Sequence, residues 1–259
     1  MWPPSPSAGS RVTTNRRAAN GFIWVEVMAN ELGAKLLNYA WSGAVVDNFA
    51  YNTTSPANET GVPKTDFVAE TRLFLQQGRS LDSLVPSQTL YTVAFGINDE
   101  AQFELAGGDW NITLNTYVRQ SPVLLPLASF QFKSAFQLTK LGELQANGAK
   151  NILVHGMYQS HPNTDILQNQ IFAYLRESHS VNGTNFAFVN LERLFGSIAA
   201  DPSPFGYLGN PTCLVSVTST VGGCSDPDHS VFYIPRHPSQ NTHRLISQYT
   251  EAVLQKCIV

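Results

Sequence analysis

The stretch Leu90-Tyr91-Thr92-Val93-Ala94-Phe95-Gly96-Ile97-Asn98-Asp99 constrains the fold more than any other part of the chain. Six β-branched, aromatic or aliphatic residues run in succession and stop at Gly96. Such a run predicts a parallel strand covered on both faces. In open α/β sheets functional side chains are delivered just past the carboxyl ends of strands, so Asn98 and Asp99 become candidate site residues. Gly, Asn and Asp are also ordinary turn formers, and the elbow alone therefore names no chemistry.

The rest of the chain alternates around this strand. Trp24, Met28 and Leu32 repeat at four-residue spacing in a helix over 22–32, with Gly33 as its C-terminal cap. Residues 35–40 read as a short strand ending in Trp41-Ser42-Gly43-Ala44, a glycine turn of the kind that lets backbone amides approach a ligand. After a polar loop over 49–63, Thr65 is expected to cap a helix running to Gln77 and closed by Gly78. Residues 100–126 carry Gly107-Gly108, Pro122 and Pro126 and read as an excursion over the active edge, without resolved elements. A helix over 129–147, a strand over 151–155, a helix over 165–177, a strand over 186–189 and a helix over 241–253 follow. His155 and His161 read as loop histidines after a strand. Alternating strands and helices predict an α/β fold of the doubly wound, parallel type in a single domain over 1–259, with 1–21 a loop remnant and 22–259 the body.

Composition narrows the partners. With 259 residues, 43% apolar and 14% charged, the chain is long enough for one full α/β core. A net charge of −3 and no basic cluster beyond Arg16-Arg17 argue against nucleic acid or an anionic membrane as partner. No apolar run reaches the ~18 residues that cross a bilayer. Asn52, Asn58, Asn111 and Asn182 each begin a glycosylation sequon, and Cys213 and Cys224 are spaced to close a short disulfide loop, leaving Cys257 as an odd thiol. These features point to the secretory pathway. Residues 1–21 contain no apolar run that could serve as a signal peptide. The histidines lack the paired spacing of a metal site, and neither metal nor cofactor is expected.

Three islands fall at expected strand ends or helix starts: Gly43, Gly96-Ile97-Asn98-Asp99, and His237-Pro238-Ser239. Acyl transfer needs a base to activate a hydroxyl and preorganised N–H donors for the oxyanion. His237 can be the base, with the backbone N–H of Gly43 and the side-chain amide of Asn98 as donors, and Asp99 can hold the elbow by side-chain-to-backbone bonds. In order and wording these islands resemble the SGNH hydrolases, the GDSL-type lipases and esterases. Phe22-Ile23-Trp24-Val25-Glu26 followed by Leu37-Asn38-Tyr39-Ala40-Trp41-Ser42-Gly43-Ala44 is similar to the segment around the family's second block, Gly96-Ile97-Asn98-Asp99 to its third, and His237-Pro238-Ser239 with His243 to its fifth. Asp201-Pro202, Phe205-Gly206-Tyr207 and Cys213 resemble the segment before the last block in secreted microbial and fungal members. The resemblance spans roughly residues 20–256. It implies a three-layer α/β/α sandwich with flavodoxin-like strand order, hydrolysing carboxylic esters without a metal. The expected protein is extracellular and monomeric, with a small acyl ester or acylated carbohydrate as substrate.

Two positions depart from the family pattern. No Gly-Asp-Ser block carrying the nucleophile precedes Phe22, and none of Ser5, Ser7 or Ser10 has a strand ahead of it. The expectation is an upstream segment holding a signal peptide, the first strand and the serine. Three residues before His237, where the family places an orienting aspartate, stands Ile234; Asp226 or Asp228 could substitute. Loss of the orienting carboxylate costs about ten-thousandfold in serine hydrolases. A non-catalytic relative binding acylated sugars or glycans in the same cleft is the alternative.

Overall fold

The computed structural model describes residues 18–52, 65–78, 84–118, 139–159, 161–208, 211–217 and 219–256. In chain order the helices are α1 (Trp24–Glu31), α2 (Phe67–Gly78), α3 (Ile97–Ala106), α4 (Trp110–Tyr117), α5 (Lys140–Ala146), α6 (Pro162–Asn182), α7 (Leu191–Ala200) and α8 (Gln240–Lys256). The strands are β1 (Leu90–Ala94), β2 (Asn151–His155), β3 (Asn185–Val189), β4 (Phe232–Ile234) and β5 (His237–Pro238). The described residues fall into two compact units, one drawn from those within 1–42 and 189–259 and the other from those within 43–188.

The unit over Gly43–Phe188 is mixed α/β, built on a three-stranded parallel sheet in the order β1-β2-β3. β1 and β2 pair from Leu90↔Asn151 to Ala94↔His155. β2 is the covered strand: Ile152, Leu153, Val154 and His155 are all buried, the first three with at most 1% exposure. Each such apolar side chain contributes about 1.5–3 kcal/mol through burial. Around it Leu141, Leu167, Ile171 and Tyr117 complete the core, and Phe67 stacks on Phe95 with ring centroids 4.5 Å apart.

Several local expectations are corrected here. β1 is not covered on both faces: Thr92 and Ala94 are exposed, and among the described residues no strand pairs with its outer edge. It is the edge of the sheet and β2 is the centre. Residues 35–40 form no strand. There the Asn38 side chain accepts the Ala40 N–H at 2.9 Å, a local bond in place of a ladder bond. Asp66, not Thr65, begins α2, its Oδ1 accepting the Ala69 N–H at 2.8 Å. The helix expected over 129–147 begins only at Lys140, because Thr139 is extended and its hydroxyl caps Gly142 N–H at 3.1 Å; residues 129–138 lie outside the described residues. Residues 97–117, read as irregular after Asp99, hold α3 and α4, separated by Gly107-Gly108. His155 is not a loop residue but the buried last residue of β2, where burial lowers its pKa to about 3 and keeps it neutral. His161 is the N-cap of α6.

In the other unit α8 packs against α1 and α7, and β4 pairs antiparallel with β5 across a bulge. Gly33, with φ +59°, ends the first helix in the left-handed conformation the sequence predicts. A disulfide joins Cys213 to Cys224, and Cys213, Leu214 and Ile234 form a small buried core with Tyr233 and Val217 against it. Backbone bonds from Cys213 N–H to Phe232 O and from Leu214 N–H to Tyr233 O, both 2.9 Å, lay the disulfide segment along β4. Cys257 lies outside the described residues. Among the described residues no helix is long and apolar enough to cross a membrane.

Candidate functional site

At the end of β1 the chain turns at Gly96, whose φ of +118° is a conformation that side chains resist. A Cβ there would also stand 2.4 Å from Met157 Sδ. This turn starts α3 and presents Asn98 and Asp99 in its first turn. The Asn98 amide donates to the Ala44 carbonyl at 2.9 Å, joining positions 54 residues apart. Gly43, at φ +80°, directly precedes that carbonyl-bearing residue. The Asn98 side chain is thus bonded to the residue that follows Gly43, within one unit. One amide N–H of Asn98 is committed to Ala44, and an NH₂ group has a second to offer.

Asp99 is what holds this arrangement. Its side chain is fully buried; Oδ1 accepts from Val46 N–H at 2.8 Å and from Tyr51 O–H at 2.6 Å, and Oδ2 accepts from Gly96 N–H at 3.1 Å. The carboxyl ties the glycine elbow to the 43–51 loop, a supporting role in keeping with its expected one. Burial pushes its pKa up to about 6, against the opposing pull of its hydrogen bonds to Tyr51, Val46 and Gly96. Tyr51, itself buried, is the member of this network that sequence reasoning missed, since nothing in its local sequence marks a partner 48 residues away.

His237 lies in the other unit, on β5, one residue past a turn through Pro235 and Arg236. Arg236 has φ +64°, the left-handed conformation in a residue other than glycine. His237 Nδ1 meets Pro235 O at 2.8 Å. A carbonyl only accepts, so Nδ1 carries the proton and Nε2 is the basic nitrogen of the neutral ring. Ile234 is fully buried in the small core beside the disulfide and offers nothing to the imidazole. Asp226 and Asp228 are engaged elsewhere. Asp226 Oδ2 meets His229 Nδ1 at 2.7 Å, and Asp228 Oδ1 accepts from the Asn20 amide at 2.8 Å. The partner of His237 Nδ1 is thus a backbone carbonyl. Ser239, buried, caps α8 and bonds Thr242, which also bonds Tyr207 O–H at 2.6 Å.

Among the sequons, Asn52 and Asn111 are exposed, Asn58 lies outside the described residues, and Asn182 falls at the C-terminal end of α6. Glu100, Glu104 and His161 place ligand-type atoms within 4.8 Å of one another. Glu100 Oε1 meets His161 Nδ1 at 2.7 Å, which docks α3 on the N-terminus of α6. No family model matches the chain, and no curated protein matches its sequence.

Proposed function

We propose that the chain carries the oxyanion-binding and base elements of a carboxylic ester hydrolase of the SGNH type. The observation that carries this reading is the 2.9 Å bond from Asn98 to Ala44, which gathers two widely separated blocks at the end of β1. On this reading a serine attacks the acyl carbonyl while His237 Nε2 takes its proton. The developing oxyanion receives hydrogen bonds from Gly43 N–H and the Asn98 amide, each worth about a hundredfold to a thousandfold in rate. His237 then protonates the leaving alcohol, and water releases the acyl group by the same steps in reverse. The Pro235 carbonyl holds the imidazole in the tautomer this requires.

The serine belongs to an upstream strand that pairs along the outer edge of β1, so that β1, β2 and β3 become the outer three strands of a flavodoxin-like sheet in a three-layer sandwich. The outer edge of β1, with which no strand pairs among the described residues, supports this placement. Short acyl esters, including acetyl groups on plant polysaccharide, are the proposed substrates. The disulfide and the exposed Asn52 and Asn111 support an extracellular protein. A second reading, a non-catalytic relative that binds acylated sugars, is favoured by one observation, the burial of Ile234 where the orienting aspartate would stand.

The test is mapping of the transcript 5′ end, followed by p-nitrophenyl acetate hydrolysis with the present chain and with any extended form. Activity confined to an extended form bearing a Gly-Asp-Ser block is the expected result. Inert protein in every form, with retained affinity for acetylated sugars, selects the binding reading.

A further inference from the structure

The two flanks of His237 are held by different parts of the chain. On the C-terminal side the Ser239 N–H donates to Val231 O at 2.9 Å and the Thr242 hydroxyl donates to the same carbonyl at 2.7 Å, which ties the histidine's strand to the start of α8. On the N-terminal side the turn through Pro235 and Arg236 joins β4 to β5, with Ile234 opposite His237. Arg236 holds φ +64°, a conformation that persists in a residue other than glycine only where its surroundings impose it. What backs this turn is the disulfide segment. The Phe232 N–H donates to Pro211 O at 2.8 Å, and the Cys213 and Leu214 N–H groups donate to the Phe232 and Tyr233 carbonyls, so β4 runs between that segment and β5. Cys213 and Leu214 are buried with Ile234, the residue paired with His237. The segment is itself pinned by the bridge and by a bond from Cys224 N–H to Cys213 O at 3.1 Å. Gly223 lies so close that a Cβ there would stand 2.4 Å from Leu214 Cδ2.

We propose that the Cys213–Cys224 disulfide is a positioning element for His237: it braces β4 so that the Pro235 carbonyl stays aimed at Nδ1 and holds the ring in one tautomer. Opening the bridge lets Cys213 and Leu214 leave β4 and frees the ring. The tie from Val231 to α8 persists, as does the bond from Asn98 to Ala44 in the other unit. A dithiol opens the bridge by passing it two electrons and two protons, which leaves two thiols and converts the dithiol to its own disulfide. Cys224 is exposed, which admits the reagent. The proposal rests on the hydrolase reading only in calling His237 a base; the tautomer is a property of the ring and its carbonyl partner.

The test is ¹⁵N-histidine NMR of the full chain at about pH 8, where an ordinary imidazole is neutral, with the His237 signals assigned from a His237→Gln variant. Oxidised protein is compared with protein reduced by dithiothreitol and with the Cys213→Ala, Cys224→Ala double variant. On opening, the ratio of Nδ1–H to Nε2–H tautomer is expected to fall about 2- to 10-fold, the equivalent of one neutral hydrogen bond. In hydrogen exchange the Leu214 amide loses protection, while the amides of Gly96 and of Ile246 on α8 keep theirs. Ile198→Ala, a cavity on α7 in the same unit with the bridge intact, is expected to leave the ratio unchanged. An unchanged ratio on opening, an equal fall in Ile198→Ala, or loss of α8 protection together with the bridge overturns the proposal. No ester is hydrolysed in this experiment, so its failure is separate from failure of the p-nitrophenyl acetate assay.

Discussion

Tyr51→Phe probes the network on which the candidate site rests. The substitution keeps the buried ring and removes one hydroxyl, which donates to Asp99 Oδ1 at 2.6 Å and lies 3.4 Å from Thr113 Oγ1. A hydrogen bond to an ionised acceptor is worth about 1.5–3 kcal/mol, and one to a neutral acceptor about 0.5–1.5. Asp99 has its pKa raised from 3.8 to about 6, so it is neutral at pH 5 and ionised at pH 8. For a carboxyl raised on folding, stability is fully present below the unfolded value and is lost as pH rises through the folded one. A rise of this size corresponds to about 3 kcal/mol lost between roughly pH 4 and 7. The tyrosine bond lowers the Asp99 pKa, so its removal raises that pKa further and deepens the loss. Tyr51→Phe is therefore expected to cost about 1 kcal/mol at pH 5 and about 2 kcal/mol or more at pH 8. Urea denaturation at the two pH values, with hydrogen exchange at the Val46 and Gly96 amides, measures this. An equal loss at both values, or a loss under about 0.5 kcal/mol at pH 8, refutes the account of the network.

Three further outcomes follow from the same structure. Replacing Cys213 and Cys224 by alanine, which opens an 11-residue separation, is expected to cost about 3 kcal/mol in a urea melt. Ile234→Asp, which would set a carboxylate three residues before His237, is expected to destabilise more than Ile234→Ala, itself about 2–5 kcal/mol, because the carboxylate would enter the core of Leu214 and Cys213. Equal or smaller loss for the aspartate in denaturation would show that the site is open to a carboxylate. Gly108→Ala would set a Cβ 2.1 Å from Ala50 O at φ +151°, and a loss on the order of 2–4 kcal/mol is expected by the same assay.

The sheet was legible because short apolar runs closed by turn-forming Gly96, Gly156 and Asn190 have few alternative fates. Leu90–Ala94, Asn151–His155 and Asn185–Val189 all became strands, and α6 and α8 formed around their apolar stripes. The excursion after Asp99 was not legible as helix, since the first turns of α3 and α4 are rich in turn-forming Asn and Asp, with Gly107-Gly108 between them. Residues 35–40 had strand-like composition, but a strand exists only with a partner, and Asn38 offers the backbone a local bond instead. The residues whose chemistry is visible in their type could be named: Gly43, Asn98 and Asp99 in one unit and His237 in the other. Tyr51 and the Pro235 carbonyl could not. The first acts across 48 residues, and the second is a backbone atom aimed by the turn at Arg236. The burial of Ile234 likewise depends on the neighbouring disulfide segment rather than on its own surroundings in sequence.

The most direct test of the central reading is p-nitrophenyl acetate hydrolysis by the longest form that the transcript encodes, compared with its Asn98→Ala and His237→Ala variants at matched folded fraction. The account predicts that Asn98→Ala lowers kcat by about a hundredfold to a thousandfold with KM little changed, and that His237→Ala abolishes the pH-dependent activity. Hydrolysis that survives both substitutions unchanged would contradict it.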